Sequence, residues 1–301
     1  MTAVVVLAGG TGGAKLARGM LDVVGDGLTV IANTADDIEI YGAYVSPDPD
    51  LCSFWLADRI DERGWGLRDD SFTVMDALRE LGCDVWFALG DRDLAIAIRR
   101  AQRIGEGARL TDTLAELGAA LGLTARVLPM SDDPVRTWVL TEARWMPFQE
   151  FMIRAGGRAP IEDVQLRGID EALATPEALE AIAAADVIVV GPSNPVISIG
   201  PILAVADMRQ ALIDSPAPVV AISPVVGGAV LKGPTQAFMA WAGHGLDGDS
   251  ISDYYNGLID GLVADEPAGG VPVLQTDTLM DDQHARRRVA AETLRFAEAL
   301  R

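Results

Sequence analysis

The stretch VVVLAGGTGGAKLARGM, from Val4 to Met20, constrains this chain more than any other. A continuous apolar run stops at Gly9 and Gly10. Gly12 and Gly13 follow, and helical spacing of apolar residues begins at Ala14. A buried strand, a glycine turn and a helix in that order leave backbone amides at a helix N-terminus, where N–H groups and the helix dipole together attract an anion. Glycine lets a ligand approach the backbone closely. Gly10, Thr11, Gly12 and Gly13 are the candidate contacts, and Lys15 adds a point charge. Two familiar readings fail on spacing. A P-loop needs glycine directly before its lysine and Ser or Thr directly after, but Ala14 and Leu16 flank Lys15. A dinucleotide fingerprint counted from Gly10 would place its last glycine on Lys15. The turn indicates a nucleotide or phosphate without saying which.

Similar apolar runs recur along the chain. Ala3–Ala8, Leu28–Ala32, Asp186–Val190, Pro218–Ile222 and, more weakly, Val271–Leu274 read as strands. They are continuous rather than alternating, as expected of strands covered on both faces. Helical patterns separate them over Ala14–Val24, Val74–Leu81, Asp91–Arg103, Thr111–Leu121, Pro176–Ala184 and Asp281–Leu300. The expected fold is α/β, a Rossmann-like, mostly parallel sheet with helices on both faces. The rhythm breaks in the middle, where short strand-like pieces and aromatics replace it. This predicts a smaller inserted subdomain over 131–175, beside a nucleotide-binding domain made of 1–130 and 176–301.

The chain has 301 residues, half of them hydrophobic, and a formal net charge of −20. A charge of that sign argues against nucleic acid and anionic membrane surfaces as partners. No apolar stretch approaches the length of a membrane span, and the first strand lacks the basic flank of a signal peptide. A cytoplasmic protein is expected. Cys52 and Cys83 are too few and too far apart for a zinc site or a disulfide framework.

Asn33–Leu51 reads NTADDIEIYGAYVSPDPDL and leaves the second strand at the rim where a doubly wound sheet binds ligands. Asp36, Asp37, Asp48 and Asp50 crowd this segment, with Glu39 beside them. Carboxylates beside a phosphate cradle would repel the ligand unless a divalent cation bridges the two, and hard oxygen ligands suit magnesium. Arg92, in LGDRDLA, stands at a turn before a helix, where it can pair with a phosphate or stack on a ring. Ser193 and Asn194, in VVGPSNPVISIGPIL, present hydrogen-bonding groups in a rigid loop after a buried strand.

Taken in order, GGTGGAK, NTADD, SPDPD, RGWG, GDRDLA, PSNPVISIGPIL and SPVVGGAVLKGP resemble the 2-phospho-L-lactate transferase family of deazaflavin coenzyme F-420 biosynthesis. The resemblance runs over almost the whole chain. It implies transfer of a small phospho-acid from its diphosphate ester with GMP to the ribityl hydroxyl of 7,8-didemethyl-8-hydroxy-5-deazariboflavin, with release of GMP. It also implies Mg2+ as cofactor and a homodimer. By the same resemblance Asp36 and Asp50 hold magnesium or orient the hydroxyl, Asp50 is a candidate proton acceptor, and Arg92 touches the deazaflavin precursor. The glycine turn with Ser193 and Asn194 holds the guanosine nucleotide, and Asn33 and Asp48 complete the substrate-binding set. The chain departs from the family pattern at Leu51, usually Thr, and at Thr34 and Ala35, usually Val and Gly. These departures leave 2-phospholactate, phosphoenolpyruvate and 3-phosphoglycerate open as the donor's acid.

The alternative is a non-catalytic nucleotide-sugar-binding regulator of the gluconeogenesis-factor type, which shares a glycine turn and paired aspartates. Its aspartates are typically followed by small glycines and serines, whereas here IEIYG and PDPDL follow. A nicotinamide dehydrogenase is disfavoured by the glycine spacing and by Asn33, where an acidic residue would hold a ribose. A D-x-D glycosyltransferase rests on Asp48-Pro49-Asp50 alone.

Overall fold

The computed structural model describes residues 2–231 and 233–301, so Lys232 of the SPVVGGAVLKGP stretch lies outside the described residues. Seven strands build the main sheet: β1 (Val4–Ala8), β2 (Leu28–Ala32), β3 (Arg126–Pro129), β4 (Val187–Val190), β5 (Val219–Ile222), β6 (Gly261–Ala264) and β7 (Val273–Gln275). Their order is β3-β2-β1-β4-β5-β6-β7. All six neighbouring pairs run parallel. This is the doubly wound arrangement the sequence predicts, and the strand order reverses between β1 and β4.

The continuous apolar runs follow from burial on both faces. Val5, Leu7, Ile31, Ile188 and Val190 enter one core, while Val4, Val6, Leu28, Val30, Val187 and Val189 enter another on the opposite face. Successive side chains of a strand point to opposite faces, so each strand serves both cores. Helix α1 (Gly10–Val24) packs with the C-terminal helix Gln283–Ala299 over the second core. The helix Pro176–Ala183 and the segment Pro195–Asp214 cover the first.

Within 131–175 the strands Arg136–Thr141, Arg144–Pro147 and Asp163–Arg167 form a separate antiparallel sheet. Val139, Met146, Phe148 and Phe151 from this region sink into the first core, so the small sheet and the main sheet share one apolar interior. A third, smaller core forms around Ala43, Val45, Met75, Leu89, Leu94 and Ala97. It joins the hairpin Ile38–Val45 to α3 (Thr73–Glu80) and α4 (Asp91–Gly105).

The stretch read as a SPDPD turn is instead the start of a helix, α2 (Pro47–Leu56). Pro47 takes the first helical position, where a missing N–H costs nothing, and Asp48 and Asp50 lie in the first turn. Among the described residues no single helix is long and apolar enough to cross a membrane. Cys52 is buried and Cys83 exposed, and neither forms a disulfide.

Candidate active site

The turn after β1, the acidic segment after β2 and the loop after β4 meet at the reversal point of the sheet. Gly12 is required there, because a Cβ would lie 2.2 Å from the carbonyl oxygen of Pro192. Gly13 is pressed against Ser193 and Ala8, with Oγ of Ser193 2.6 Å from where a Cβ would stand. Gly10 has φ of +60°, in the left-handed region. The glycines therefore serve the close approach of two protein segments, in addition to any ligand. Ser193 Oγ accepts the Gly9 N–H at 3.2 Å, which fixes the second loop to the first.

The Gly10 amide already has an anion. It donates to Asp48 Oδ1 at 2.7 Å, from the first turn of α2. Asn33 Nδ2 donates to the other oxygen of Asp48 at 2.9 Å, while Asn33 Oδ1 accepts the Ala35 N–H at 2.9 Å. Asn33 thus has its polar atoms engaged in shaping the acidic segment. Asn194 Oδ1 accepts the amides of Val196 and Ile197 and caps the π-helical turn Pro195–Ile199, but its buried Nδ2 has no partner. Thr11 is half-buried on the first turn of α1. Lys15 lies further along that helix, its ammonium 5.9 Å from the centre of the Trp55 ring.

Four aspartates of the acidic segment are buried. Asp36 has one carboxylate oxygen with no hydrogen-bond partner, and so does Asp37. Burial, and then the neighbouring charge of Asp48, push Asp36 well above the ordinary carboxylate range. Burial also raises Asp48, against the pull of its bonds to Asn33 and Gly10. Asp37 is pushed up to about 7 by burial, with Arg136 and a bond from Ser46 opposing.

Asp50 differs, because Arg100 grips both its oxygens, with Nη1 at 3.0 Å from Oδ2 and Nη2 on Oδ1. Arg100 also donates to the Tyr44 carbonyl at 3.0 Å and is itself buried. Burial still leaves Asp50 above its usual range. The sequence gives no local signal for Arg100, which lies fifty residues from its partner. Asp36 and Asp50, paired as metal ligands in the sequence reading, thus meet different partners. Asp50 is ion-paired with a guanidinium, whereas Asp36 has no such cation among the described residues and is raised first by burial and then by the charge of Asp48.

A cavity of about 320 Å³ opens beside α2. Asp48, Asp50 and Gln149 contribute polar groups, and Phe54, Trp65, Phe72 and Phe87 supply aromatic surface. Gln149 donates to the Asp36 carbonyl at 3.2 Å, so the small sheet's neighbouring helix also reaches the acidic segment. Arg92 does not line this cavity. Its N–H is held by Asp70 at 2.9 Å, and its exposed side chain reaches the Arg68 carbonyl at 3.4 Å.

These buried carboxyls set a pH dependence. Each binds its proton more tightly folded than unfolded, where an aspartate titrates near 3.9. Folding therefore takes up protons between about pH 4 and about pH 7, and stability falls as pH rises through that window. The ligand-free protein is expected to show a higher urea midpoint at about pH 5 than at about pH 8. A midpoint that climbs over this range would contradict the assigned protonation.

The family described as 2-phospho-L-lactate transferase CofD matches residues 4–293. A 2-phospho-L-lactate transferase of Methanosarcina mazei is 39% identical over 264 residues, covering 87% of this chain and 86% of that protein. A phosphoenolpyruvate transferase of Kitasatospora aureofaciens is also 39% identical, over 316 aligned positions covering 99% of this chain and 98% of that protein. Among solved structures, a UPF0052-family protein of Bacillus halodurans superposes with a TM-score of 0.64 at 19% identity, over 98% of this chain and 99% of that one, which speaks to fold alone. The match over residues 4–293 and the relatives at 39% identity lead to one assignment: the chain belongs to the CofD family of transferases.

Proposed function

We propose that this chain transfers a phospho-acid from its diphosphate ester with GMP to the terminal ribityl hydroxyl of 7,8-didemethyl-8-hydroxy-5-deazariboflavin, a step of coenzyme F-420 biosynthesis. One observation carries the reading. The first turn of α2 joins two sites, because Asp48 holds the glycine turn while Asp50, two residues on, lines the aromatic cavity. A nucleotide at the turn and a planar acceptor in the cavity would meet across that helix turn. The cavity's size and aromatic lining suit a flat heteroaromatic ring.

In this reaction the ribityl oxygen attacks the phosphorus that bears the acid. The P–O–P bond breaks, GMP leaves with the bonding electrons, and a phosphodiester remains. Asp50 orients the hydroxyl and takes its proton, with Arg100 fixing the carboxylate in place. The Asn194 Nδ2 donor and the first-turn amides of Thr11 and Gly12 bind the guanosine nucleotide, while the Gly13 N–H is taken by the helix's own first bond. Phosphoryl transfer needs positioning and charge neutralisation rather than a covalent nucleophile.

The donor set fits magnesium. Asp36 offers a buried carboxylate oxygen that lacks a partner, and Asp48 lies close enough to raise its proton affinity. Among the described residues no cluster of three or more acidic, histidine or cysteine ligands occurs, and Asp36 with Asp48 would be the carboxylates to hold the ion. When bound there, magnesium would neutralise the diphosphate and the charge that grows on the leaving GMP.

The relatives at 39% identity divide between 2-phospho-L-lactate and phosphoenolpyruvate by name, which supports either of these acids on the donor, while 3-phosphoglycerate rests on the sequence resemblance alone. Titration of the purified protein with the deazaflavin precursor, followed by its fluorescence, tests the reading. Saturable binding strengthened by magnesium and GDP, then turnover with one of the three donors, is the expected result. No binding under any condition removes it.

A further inference from the structure

Asp93 has no part in the chemistry above, yet its position asks for one. It lies in the first turn of α4 and lines the same cavity as Trp65, Phe72 and Phe87. Its backbone N–H donates to Asp70 at 3.2 Å, but its carboxyl makes no hydrogen bond or ion pair among the described residues. A carboxylate serving a helix dipole would hold its proton less tightly than usual. Asp93 does the reverse. Burial, followed by the charges of Asp50 and Asp70, pushes it up to about 7, against Arg100. A carboxyl in that range is readily neutral, and a neutral carboxylic acid presents a donor and an acceptor side by side.

We propose that Asp93 recognises the pyrimidinedione edge of the acceptor ring, accepting the imide N–H on one oxygen and donating its own O–H to the adjacent ring carbonyl. The inference rests on the proposed function and makes Asp93 a specificity-determining residue of the same cavity. Trp65, Phe72 and Phe87 cover apolar ring surface, which offers no choice between planar ligands of similar size. A buried pair of hydrogen bonds supplies that choice, because a ligand lacking the matching edge leaves the carboxyl unsatisfied. Asp50 on α2 and Asp93 on α4 line one cavity from two helices, so the ribityl end and the ring edge are addressed by different carboxyls.

The test compares two ligands on three proteins. The ligands are the deazaflavin precursor and its derivative methylated on the imide nitrogen, and the proteins are wild type, Asp93→Ala and Asp93→Asn. Wild type is expected to prefer the precursor by about 10- to 100-fold in fluorescence titrations. Asp93→Ala is expected to bind both ligands alike. Asp93→Asn keeps a donor and an acceptor and should retain the preference within about threefold of wild type. Because the readout is a ratio within one protein, a general loss of fold does not imitate it. An Asp93→Ala protein that keeps the full preference overturns the role of Asp93, as does an Asp93→Asn protein that loses it, and both leave the transferase reading standing. A wild-type protein that binds neither ligand overturns both.

Discussion

Asp36→Asn is expected to lower turnover by about 10²–10⁴-fold while the urea midpoint stays level or rises. The two halves of the prediction share one cause. Asp36 is buried, one of its oxygens has no hydrogen-bond partner, and Asp48 repels its charge. A charge in that setting costs stability in the free protein. An isosteric amide removes the repulsion and keeps the shape. It also removes the negative oxygen that a cation at the diphosphate would require. Loss of activity with gain of stability is the signature of a group kept for chemistry rather than for folding. Steady-state turnover and urea melts of the same preparation check both halves. Turnover within a few-fold of wild type would remove Asp36 from the mechanism, and a lost midpoint would make it structural.

Arg100→Ala is expected to act in the opposite way, costing about 3–5 kcal/mol of stability because it strands a buried partner. Arg100 is buried, grips both oxygens of Asp50 and bonds the Tyr44 carbonyl. Burial alone would lower its own proton affinity, and Asp50, joined by Asp37 and Tyr44, more than offsets that. Arg100→Lys keeps the charge but loses the two-pronged grip, so it should recover part of the stability and little of the turnover. Denaturation midpoints of Arg100→Ala, Asp50→Asn and the double variant would isolate the pair. If Arg100→Ala melts with wild type, the ion pair is not what holds the first turn of α2.

The fold was legible where the sequence repeats one physical demand. Strands buried on both faces must be continuously apolar, and VVVLA, LTVIA and VIVV show it plainly. The two strands of the main sheet that were missed lack that mark. Arg126–Pro129 has only two apolar residues between a charge and a proline, as an edge strand can, and Gly261–Ala264 begins with a glycine and has no more than four residues. The first turn of α2 was hidden by its two prolines, which read as a turn and in fact sit where a helix tolerates them.

The site was legible in its local stretches and opaque in its pairings. The glycine turn, the acidic segment and the Ser193–Asn194 loop do converge, because all three leave strands at the same rim. Arg100 and the aromatic cavity arise from contacts between segments far apart in the chain, which no motif encodes. Arg92 shows the converse, since its motif was visible but the cavity is lined by Asp93, one residue further along.

The bond from the Gly10 amide to Asp48 has a consequence for affinity. Asp48 is a tethered anion at that amide, with an effective concentration set by the chain rather than by the solution. A phosphate could take that amide only by evicting Asp48, so the nucleotide proposed above either bears the cost of opening this contact or leaves Gly10 alone and uses the neighbouring amides. The same tether gives the Gly10 N–H, one of the orphan donors of the first turn of α1, a partner in the ligand-free protein. For a ligand that does use the Gly10 amide, occupancy by its phosphate and occupancy by Asp48 would be alternatives.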